Sequence, residues 1–190
     1  MIVEGLVTSL DATGLVNIAP MGPVVLGDFE RLLLRPFQAS NTFSNLAATR
    51  CGVFHVVDRV DIIARAAIGR LDSLPETEPA KRILGAVLVD CCRWFEFTVD
   101  GVDATEPRSR MPCTVIHTAE RRPFFGFNRA RHAILEAAII ATRLHLLPES
   151  QVASTFQFIE PAVTKTGDES ERDLFDMLKQ FVHSRRERSA

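Results

Sequence analysis

Short extended segments dominate residues 1–122 of the chain, and they limit the folds that it can adopt. About six segments there are rich in β-branched, aromatic or alternating apolar residues, whereas only two short stretches show helical spacing. A doubly wound sheet needs a helix after nearly every strand, and this region lacks them. The pattern therefore predicts a small antiparallel barrel that is closed or nearly closed.

The barrel is predicted to begin with a hairpin. Residues 2–9 alternate between apolar and polar side chains, residues 11–14 have turn composition, and the return strand begins at Leu15. Two prolines, Pro20 and Pro23, are expected to prevent regular pairing beyond Asn17. A strand end with unpaired backbone groups can contact the edge of a heteroaromatic ring, but a simple exit into a loop explains the same residues.

The stretch from Leu34 to Gly52 has the composition of an anion-binding site. An extended segment containing Arg35 leads into a short apolar helix that is expected to close at Gly52. The polar residues at the start of this helix are Ser40, Asn41, Thr42 and Asn45. A helix start offers free N–H groups and a positive dipole end to an anion, and Arg35 could add a full charge. The same residues also fit an N-capped surface helix preceded by an ordinary arginine.

Three later segments complete the predicted barrel: residues 53–57, 94–99 and 111–118. The last two are expected to pair as antiparallel strands across a turn. After the first, a helix capped by Asp58 or Asp61 is expected to end at Gly69. Residues 70–81 contain prolines and acids and are predicted to form a solvent loop.

Beyond residue 122 the chain is predicted to be helical. This divides it into a barrel domain of residues 1–122 and a helical subdomain of residues 123–190. Asn128 is expected to cap a helix that runs to Leu147 and carries an alanine-rich face suited to close packing.

Two more helices are predicted in the subdomain. One covers residues 149–159 and is expected to end because of Pro161. Asp168 and Glu171 form a capping box for the last helix, which covers residues 174–182. The charged residues 184–190 after it are expected to be frayed.

Composition excludes several classes of function. The 190 residues suffice for one well-cored domain with a helical appendage, and the formal net charge of -2 gives no reason to expect a nucleic-acid partner. Four cysteines form no C-x-x-C pair and are expected to be reduced, without a metal. The chain has no tyrosine to act as a general acid and no G-x-G-x-x-G segment for a Rossmann-type site. It shows neither a basic leader nor a long apolar run, which predicts a cytoplasmic protein without a membrane contact.

No catalytic acid or base can be assigned from the sequence. His55 and His117 lie in predicted strands without a nearby metal or triad partner and are interpreted as structural. His132 and Glu136 are one helical turn apart, which fits a proton-transfer pair but also an ordinary surface pair. Arg129 and Arg131 lie in the first turn of a predicted helix, where the dipole disfavours cations; a contact with an anion would explain them, but both are interpreted as solvated.

Two separated patterns resemble known proteins. The segment Asn17-Ile18-Ala19-Pro20 and the later Ser40-Asn41-Thr42-Phe43-Ser44-Asn45-Leu46, with the strand after Gly52, resemble the N-x-A-P and S-x-T-x-x-N-L arrangement of FMN-binding split barrels, nearest the flavin-reductase-like branch. The run from Pro123 to Ala133 and on to His145 is similar to domain-of-unknown-function family 447, found in archaea and bacteria. Members of that family join a split barrel to a helical C-terminal part, so the resemblance covers nearly the whole chain.

The resemblance implies an α+β fold: a six-stranded antiparallel split barrel with a C-terminal helical subdomain. It also implies bound FMN. The phosphate is expected near Arg35, Ser40, Asn41, Thr42 and Asn45, and the isoalloxazine ring against the backbone of Asn17, Ala19, Pro20 and Met21. The expected assembly is a homodimer with the flavin near the interface. The alanine-rich face of the helix from Asn128 to Leu147 would pack either at that interface or within one subunit.

The function implied by the resemblance is that of an FMN-dependent oxidoreductase of flavin-reductase-like type with an unknown substrate. Its electron donor could be a nicotinamide or another small molecule. A flavin-binding or interaction module without turnover is the alternative, since no clear catalytic pair is present. A deazaflavin or a pterin could replace FMN, although a pterin need not carry the phosphate.

Overall fold

The computed structural model describes residues 1–187, which fold into two compact units. The first comprises Met1–Asp58 and Ser73–Phe124, and the second comprises Arg59–Asp72 together with the chain from Phe125 onwards. The segment Arg59–Asp72 thus belongs with the C-terminal helices, although strands flank it in the sequence. The predicted domain boundary between residues 122 and 123 stays a prediction.

The first unit is an antiparallel sheet with a helix packed against β1 and β2. Its elements in chain order are β1 (Gly5–Leu10), β2 (Val16–Met21), β3 (Val24–Leu26), β4 (Arg31–Leu34), α1 (Asn41–Thr49), β5 (Cys51–Val56), β6 (Thr77–Pro79), β7 (Ala86–Leu88), β8 (Arg93–Val99) and β9 (Met111–Glu120). The main sheet has the strand order β2-β1-β5-β8-β9-β4-β3, and β6 pairs with β7. The predicted first hairpin and the predicted pairing of β8 with β9 are confirmed.

β2 and β3 behave as one bent strand that closes the sheet into a barrel. β2 pairs with β1 up to Met21 opposite Gly5, and a bridge between Val24 and Ile2 continues the same register beyond Pro23. β3 also pairs with β4, so the two ends of the sheet are parts of one strand. With β2 and β3 counted together, six strands form the barrel within residues 1–124. The α+β split-barrel fold is confirmed.

The pairing of β2 corrects one prediction. Regular pairing continues past Asn17 to Met21, because an edge strand tolerates a residue without an N–H, such as Pro20. Unpaired backbone groups therefore lie along the open edge of a regular strand rather than at a broken end. β3 was missed because it has three residues and directly follows Pro23.

The barrel interior is filled by phenylalanines that alternate with outward-facing residues. Phe54, Phe95 and Phe97 are fully buried, and the ring of Phe29 stacks on that of Phe95 with centroids 4.3 Å apart. Burial of each such side chain stabilises the fold by about 1.5–3 kcal/mol.

Polar side chains on the outer side of the barrel reach the backbone of the β6–β7 segment. Thr8, His55 and Glu96, on the neighbouring strands β1, β5 and β8, are each at most 1% exposed. Their backbone partners in the segment are Ala86 O, Leu88 N, and the N–H groups of Lys81 and Arg82. The prediction of a loop over residues 70–81 is therefore wrong in part, since β6 lies within it. β6 was not predicted because two of its three residues, a glutamate and a proline, are uncommon in strands.

The second unit consists of helices around an apolar core. They are α2 (Val60–Ala67), α3 (Arg129–Ala141), α4 (Glu149–Thr166) and α5 (Glu169–Glu187). The alanine-rich face of α3 lies in this core, so it packs within the subunit. Within residues 1–187, the helices include none that is long and apolar enough to cross a bilayer.

Two predicted helix caps are confirmed. The Asn128 Oδ1 accepts from the Arg131 N–H at 3.1 Å at the start of α3. Asp168 and Glu171 form a reciprocal capping box at α5: Asp168 Oδ1 accepts from the Glu171 N–H at 3.2 Å, and Glu171 Oε2 accepts from the Asp168 N–H at 2.9 Å. Arg131, interpreted as solvated, instead donates to Glu171 Oε1 at 2.9 Å.

The start of α2 differs from the prediction. Arg59 occupies the N-cap position and makes no side-chain capping bond. The Asp58 carboxylate accepts from Arg122 at 2.6 and 2.7 Å, and Asp61 accepts from Arg59, so neither acid caps the helix. The predicted helix end is confirmed at Gly69, which has a left-handed φ of 67°.

Helix ends in the second unit also differ from prediction. α3 ends at Ala141 rather than Leu147, and the chain continues in turns, in which the Arg143 N–H donates to Ile140 O at 2.9 Å. α4 continues through Pro161 to Thr166, with buried residues before and after the proline that anchor it in the core.

α5 is longer than predicted. It begins at Glu169 and includes residues 184–187, which are therefore helical rather than frayed. Residues 188–190, covered by the same prediction, lie outside the described residues.

Candidate functional site

The start of α1 combines an N-cap with free backbone donors. Ser40 has an extended backbone, with φ −92° and ψ 148°, and its Oγ accepts from the Phe43 N–H at 3.2 Å. The N–H groups of Asn41 and Thr42 have no acceptor within residues 1–187. Both groups lie at the positive end of the helix dipole, so the helix start can bind an anion.

The end of α1 corrects a prediction and shows what fixes the helix to the barrel. α1 ends at Thr49, and Arg50 takes a left-handed φ of 59°, whereas Gly52 already belongs to β5. A Cβ at Gly52 would lie 2.8 Å from the Phe97 ring and 2.9 Å from the Leu46 side chain. Gly52 is required because α1 approaches the strand this closely.

Arg35 carries a buried donor without a partner. Its Nε is shielded from solvent, and no described residue accepts a hydrogen bond from it. The Arg35 carbonyl accepts from Arg108 Nε at 3.1 Å, which holds the backbone at this point. A buried N–H group without an acceptor is costly, so its presence indicates that a ligand or solvent oxygen binds there. A phosphate oxygen is a suitable acceptor for a guanidinium donor.

Asn17, Thr42 and Asn45 are brought together by a residue that sequence reasoning missed. The Asn17 Nδ2 donates to Thr42 Oγ1 at 3.0 Å and to Ser9 Oγ at 3.4 Å. Asn45 Nδ2 donates to the same Ser9 Oγ at 3.1 Å. Ser9, Thr42 and Asn45 are buried and Asn17 is half-buried, so the bonds that join β1, β2 and α1 are partly shielded from bulk water.

The hydrogen bonds of this network determine which side-chain donors of Asn17 and Thr42 remain available to a ligand. Both Nδ2 protons of Asn17 are used, so its amide positions α1 and has no donor left for a ligand. Thr42 Oγ1 accepts from Asn17 and retains its own proton, which it can still donate.

The open edge of β2 is the other part of the predicted site. Ala19, Pro20 and Met21 are half-buried and pair with β1 on one side. β2 has no neighbour on its other side within the described sheet. Alternate backbone groups of these residues can therefore face a bound molecule.

Residues far along the chain stabilise the segment before α1, and no pattern in the sequence indicates this contact. Gln38 Nε2 donates to the carbonyls of Ala104 and Glu106, both at 2.8 Å. The Ser109 Oγ donates to Pro36 O at 2.8 Å. These bonds fix the path of the chain between Arg35 and Ser40.

The histidines of the barrel do not contribute to the site. His55 is fully buried; its Nε2 accepts from the Leu88 N–H at 3.1 Å, and its Nδ1 lies 3.3 Å from Leu6 O. Burial lowers the pKa of His55 to about 3, so the ring is neutral and structural, as predicted. His117 packs edge-on against Trp94, with Nε2 4.0 Å from Glu96 Oε1. Within residues 1–187, no group of three or more His, Cys, Asp or Glu side chains is placed to hold a metal.

Comparison with known proteins identifies similar sequences and folds. Residues 3–122 match a family model described as "Protein of unknown function (DUF447) N-terminal domain", and residues 128–180 match "Protein of unknown function (DUF447)". No curated protein sequence matches the chain.

Solved structures share the fold. The FMN-bound protein MM1853 from Methanosarcina mazei has a TM-score of 0.80 at 23% identity, with 95% of this chain and 94% of that chain covered. The 2-nitrobenzoate 2-nitroreductase NbaA of Pseudomonas fluorescens has a TM-score of 0.53 at 19% identity, with 62% and 64% covered. An FMN-binding protein from Thermus thermophilus, with bound 1-cyclohex-2-enone, has a TM-score of 0.52 at 12% identity, with 62% and 70% covered.

Proposed function

The chain belongs to the DUF447 family of proteins of unknown function, and we propose that it binds FMN and acts as an oxidoreductase of the flavin-reductase-like type. The proposal that the protein binds FMN rests on one observation. A single short segment holds a buried, unpaired Arg35 Nε and the free N–H groups of Asn41 and Thr42. These donors suit a phosphate group better than a neutral ligand.

The similar structures support the choice of FMN as the phosphate-bearing ligand. The protein from Methanosarcina mazei, similar over nearly the whole length of both chains, is FMN-bound, and a split-barrel protein from Thermus thermophilus is FMN-binding. A deazaflavin carrying a phosphate would satisfy the same donors, whereas a pterin without one would leave them unpaired.

In the proposed complex, each part of the site has a separate role. Arg35, Ser40, Asn41 and Thr42 hold the phosphate, and the backbone of β2 from Ala19 to Met21 lies along the ring. Asn17 and Asn45 position α1 through Ser9 and Thr42. Bound FMN would supply the hydride-transfer chemistry, so the protein's contribution is binding, orientation and electrostatics.

Turnover and assembly are further parts of the proposal. We expect a homodimer with the flavin near the interface, and a nicotinamide or another small molecule as the electron donor. The side chains of Ser9, Asn17, Thr42 and Asn45 bond to one another, and none of these four residues is an acid or a base. This arrangement favours a module that binds flavin without turnover as the second candidate.

The experiment is to purify the protein, record its visible absorbance and release any chromophore with acid. A yellow protein that takes up FMN supports the binding proposal, and a colourless protein that fails to take up added FMN contradicts it. Adding NADH or NADPH without oxygen then tests turnover. Bleaching of the flavin supports the oxidoreductase, whereas a flavin that stays oxidised favours the module or an electron donor other than a nicotinamide.

A further inference from the structure

A cavity lies within the helical unit, and its lining includes none of the residues assigned to FMN. Its volume is about 580 Å³, within the range of small-molecule sites. The wall is formed at the ends of α2 and α3 and along the last turns of α5. Its apolar lining consists of Ala67, Ile68, Ala141, Leu144 and Phe181.

Three arginine side chains lie next to this apolar lining. The guanidinium carbons of Arg70 and Arg185 lie 5.5 and 5.3 Å from the centroid of the Phe181 ring. Arg186 lines the cavity as well, and its Nη1 lies 3.4 Å from a carboxylate oxygen of Glu149. The Glu149 side chain is 84% exposed, so this ion pair neutralises little of the arginine charge.

Arg186, which lines this cavity and also a smaller one bordered by Glu149, carries an Nε donor that an anion would satisfy. This donor is buried, and it has no hydrogen-bond acceptor within residues 1–187. Basic residues in the last turn of α5 are explained by the helix dipole. The dipole does not explain a donor that is shielded from water and unpaired, because such a group needs an acceptor.

We propose that this cavity binds a small organic acid with an apolar body, either aromatic or branched. Its carboxylate accepts hydrogen bonds from the guanidinium of Arg186, and its apolar body packs against Ala141 and Phe181. The charge and the lining of the cavity are complementary to this class of ligand. An uncharged ligand would leave the Arg186 Nε without an acceptor, and an inorganic anion would leave the apolar surface exposed to water.

The test uses the full-length protein in the presence of excess FMN, with two fluorescent probes of similar shape. 8-Anilinonaphthalene-1-sulfonate carries the anionic group, and N-phenyl-1-naphthylamine lacks it. We expect saturable binding of the sulfonate at one site. Arg186→Gln should weaken the sulfonate about tenfold and leave the uncharged probe within about twofold, because only the charge-assisted bonds are lost. Arg129→Gln removes an exposed arginine at the opposite end of α3 and should change neither probe.

Results of two kinds would overturn the proposal. The first kind comes from the titrations: a sulfonate affinity that Arg186→Gln leaves unchanged, or the absence of saturable binding to the wild type. The second, which needs no variant, comes from methyl NMR of the wild-type protein: the resonances of Ala67 and Ala141 must shift when the sulfonate is added, and constant positions contradict binding in this cavity. If Arg186→Gln does not fold, the NMR measurement decides alone.

Discussion

The side-chain amide of Asn17 donates to the hydroxyl of Thr42 at 3.0 Å, and this bond joins the edge strand β2 to the first turn of α1. The two residues are 25 positions apart in the sequence. One belongs to the strand expected beside the flavin ring, and the other to the helix expected to hold the phosphate. The bond therefore fixes the two halves of the proposed site relative to each other.

Removal of this bond should destabilise the fold and weaken FMN binding together. Asn17→Ala should lower the free energy of unfolding by about 1–2 kcal/mol, because buried hydrogen-bonding groups lose their partner. Urea unfolding of Asn17→Ala, Thr42→Val and the double variant gives the coupling energy. We expect a coupling of at least about 0.5 kcal/mol. Strictly additive effects would show that the two side chains do not act as a pair.

Ser9 should matter more than a surface serine. Ser9→Ala leaves the amides of Asn17 and Asn45 without their shared acceptor, at a cost of about 1–3 kcal/mol. Ser44→Ala, at an exposed position of α1, is the matched control and should stay within about 0.5 kcal/mol of the wild type. Equal midpoints of chemical unfolding for the two variants would disprove a linking role for Ser9.

Gly52→Ala should displace α1. The new methyl group would lie 2.8 Å from the Phe97 ring, and relief of the clash costs about 1–3 kcal/mol. Since α1 carries the proposed phosphate donors, we expect the affinity for FMN to fall as well. Gly101→Ala is the control: its nearest neighbour would be Pro112 Cγ at 3.7 Å, an ordinary contact. Thermal unfolding and FMN titration of both variants test this, and a Gly52→Ala protein that matches Gly101→Ala would refute it.

The buried His55 should make stability depend on pH. Its pKa falls from 6.5 to about 3 on folding because burial disfavours the charged ring. A group with a lowered pKa stabilises the fold fully above pH 6.5 and loses that contribution as pH falls from 6.5 towards 3. Urea unfolding of wild type and His55→Gln across this range should show a difference that shrinks as pH falls. A constant difference would mean that His55 does not titrate as described.

The features that the sequence predicted best are those whose causes are local. The Ser40 and Asn128 caps and the box of Asp168 with Glu171 each depend on residues three positions apart. The first hairpin likewise follows from alternation and one turn. Such interactions can be recognised from residue type and spacing alone.

The features that were missed depend on contacts between distant parts of the chain. Ser9 reaches Asn45 across 36 positions, and Ser109 reaches Pro36 across 73. The residue types and spacing around Ser9 and Ser109 do not distinguish either serine from one at the surface. Pro161 stays inside a helix because core packing on both sides outweighs its local cost, which no sequence window shows.

We propose that the segment from Arg35 to Thr42 holds the phosphate of FMN. Titration of FMN into wild type, Arg35→Gln and Arg31→Gln tests this assignment. Arg31 is the matched control, because it lies at the other end of β4, is exposed and pairs with Asp100 at 3.2 Å. We expect Arg35→Gln to raise the Kd for FMN about tenfold or more, a loss of about 1.4 kcal/mol in binding free energy, and Arg31→Gln to leave the Kd unchanged. Equal FMN affinity in all three proteins would contradict the assignment.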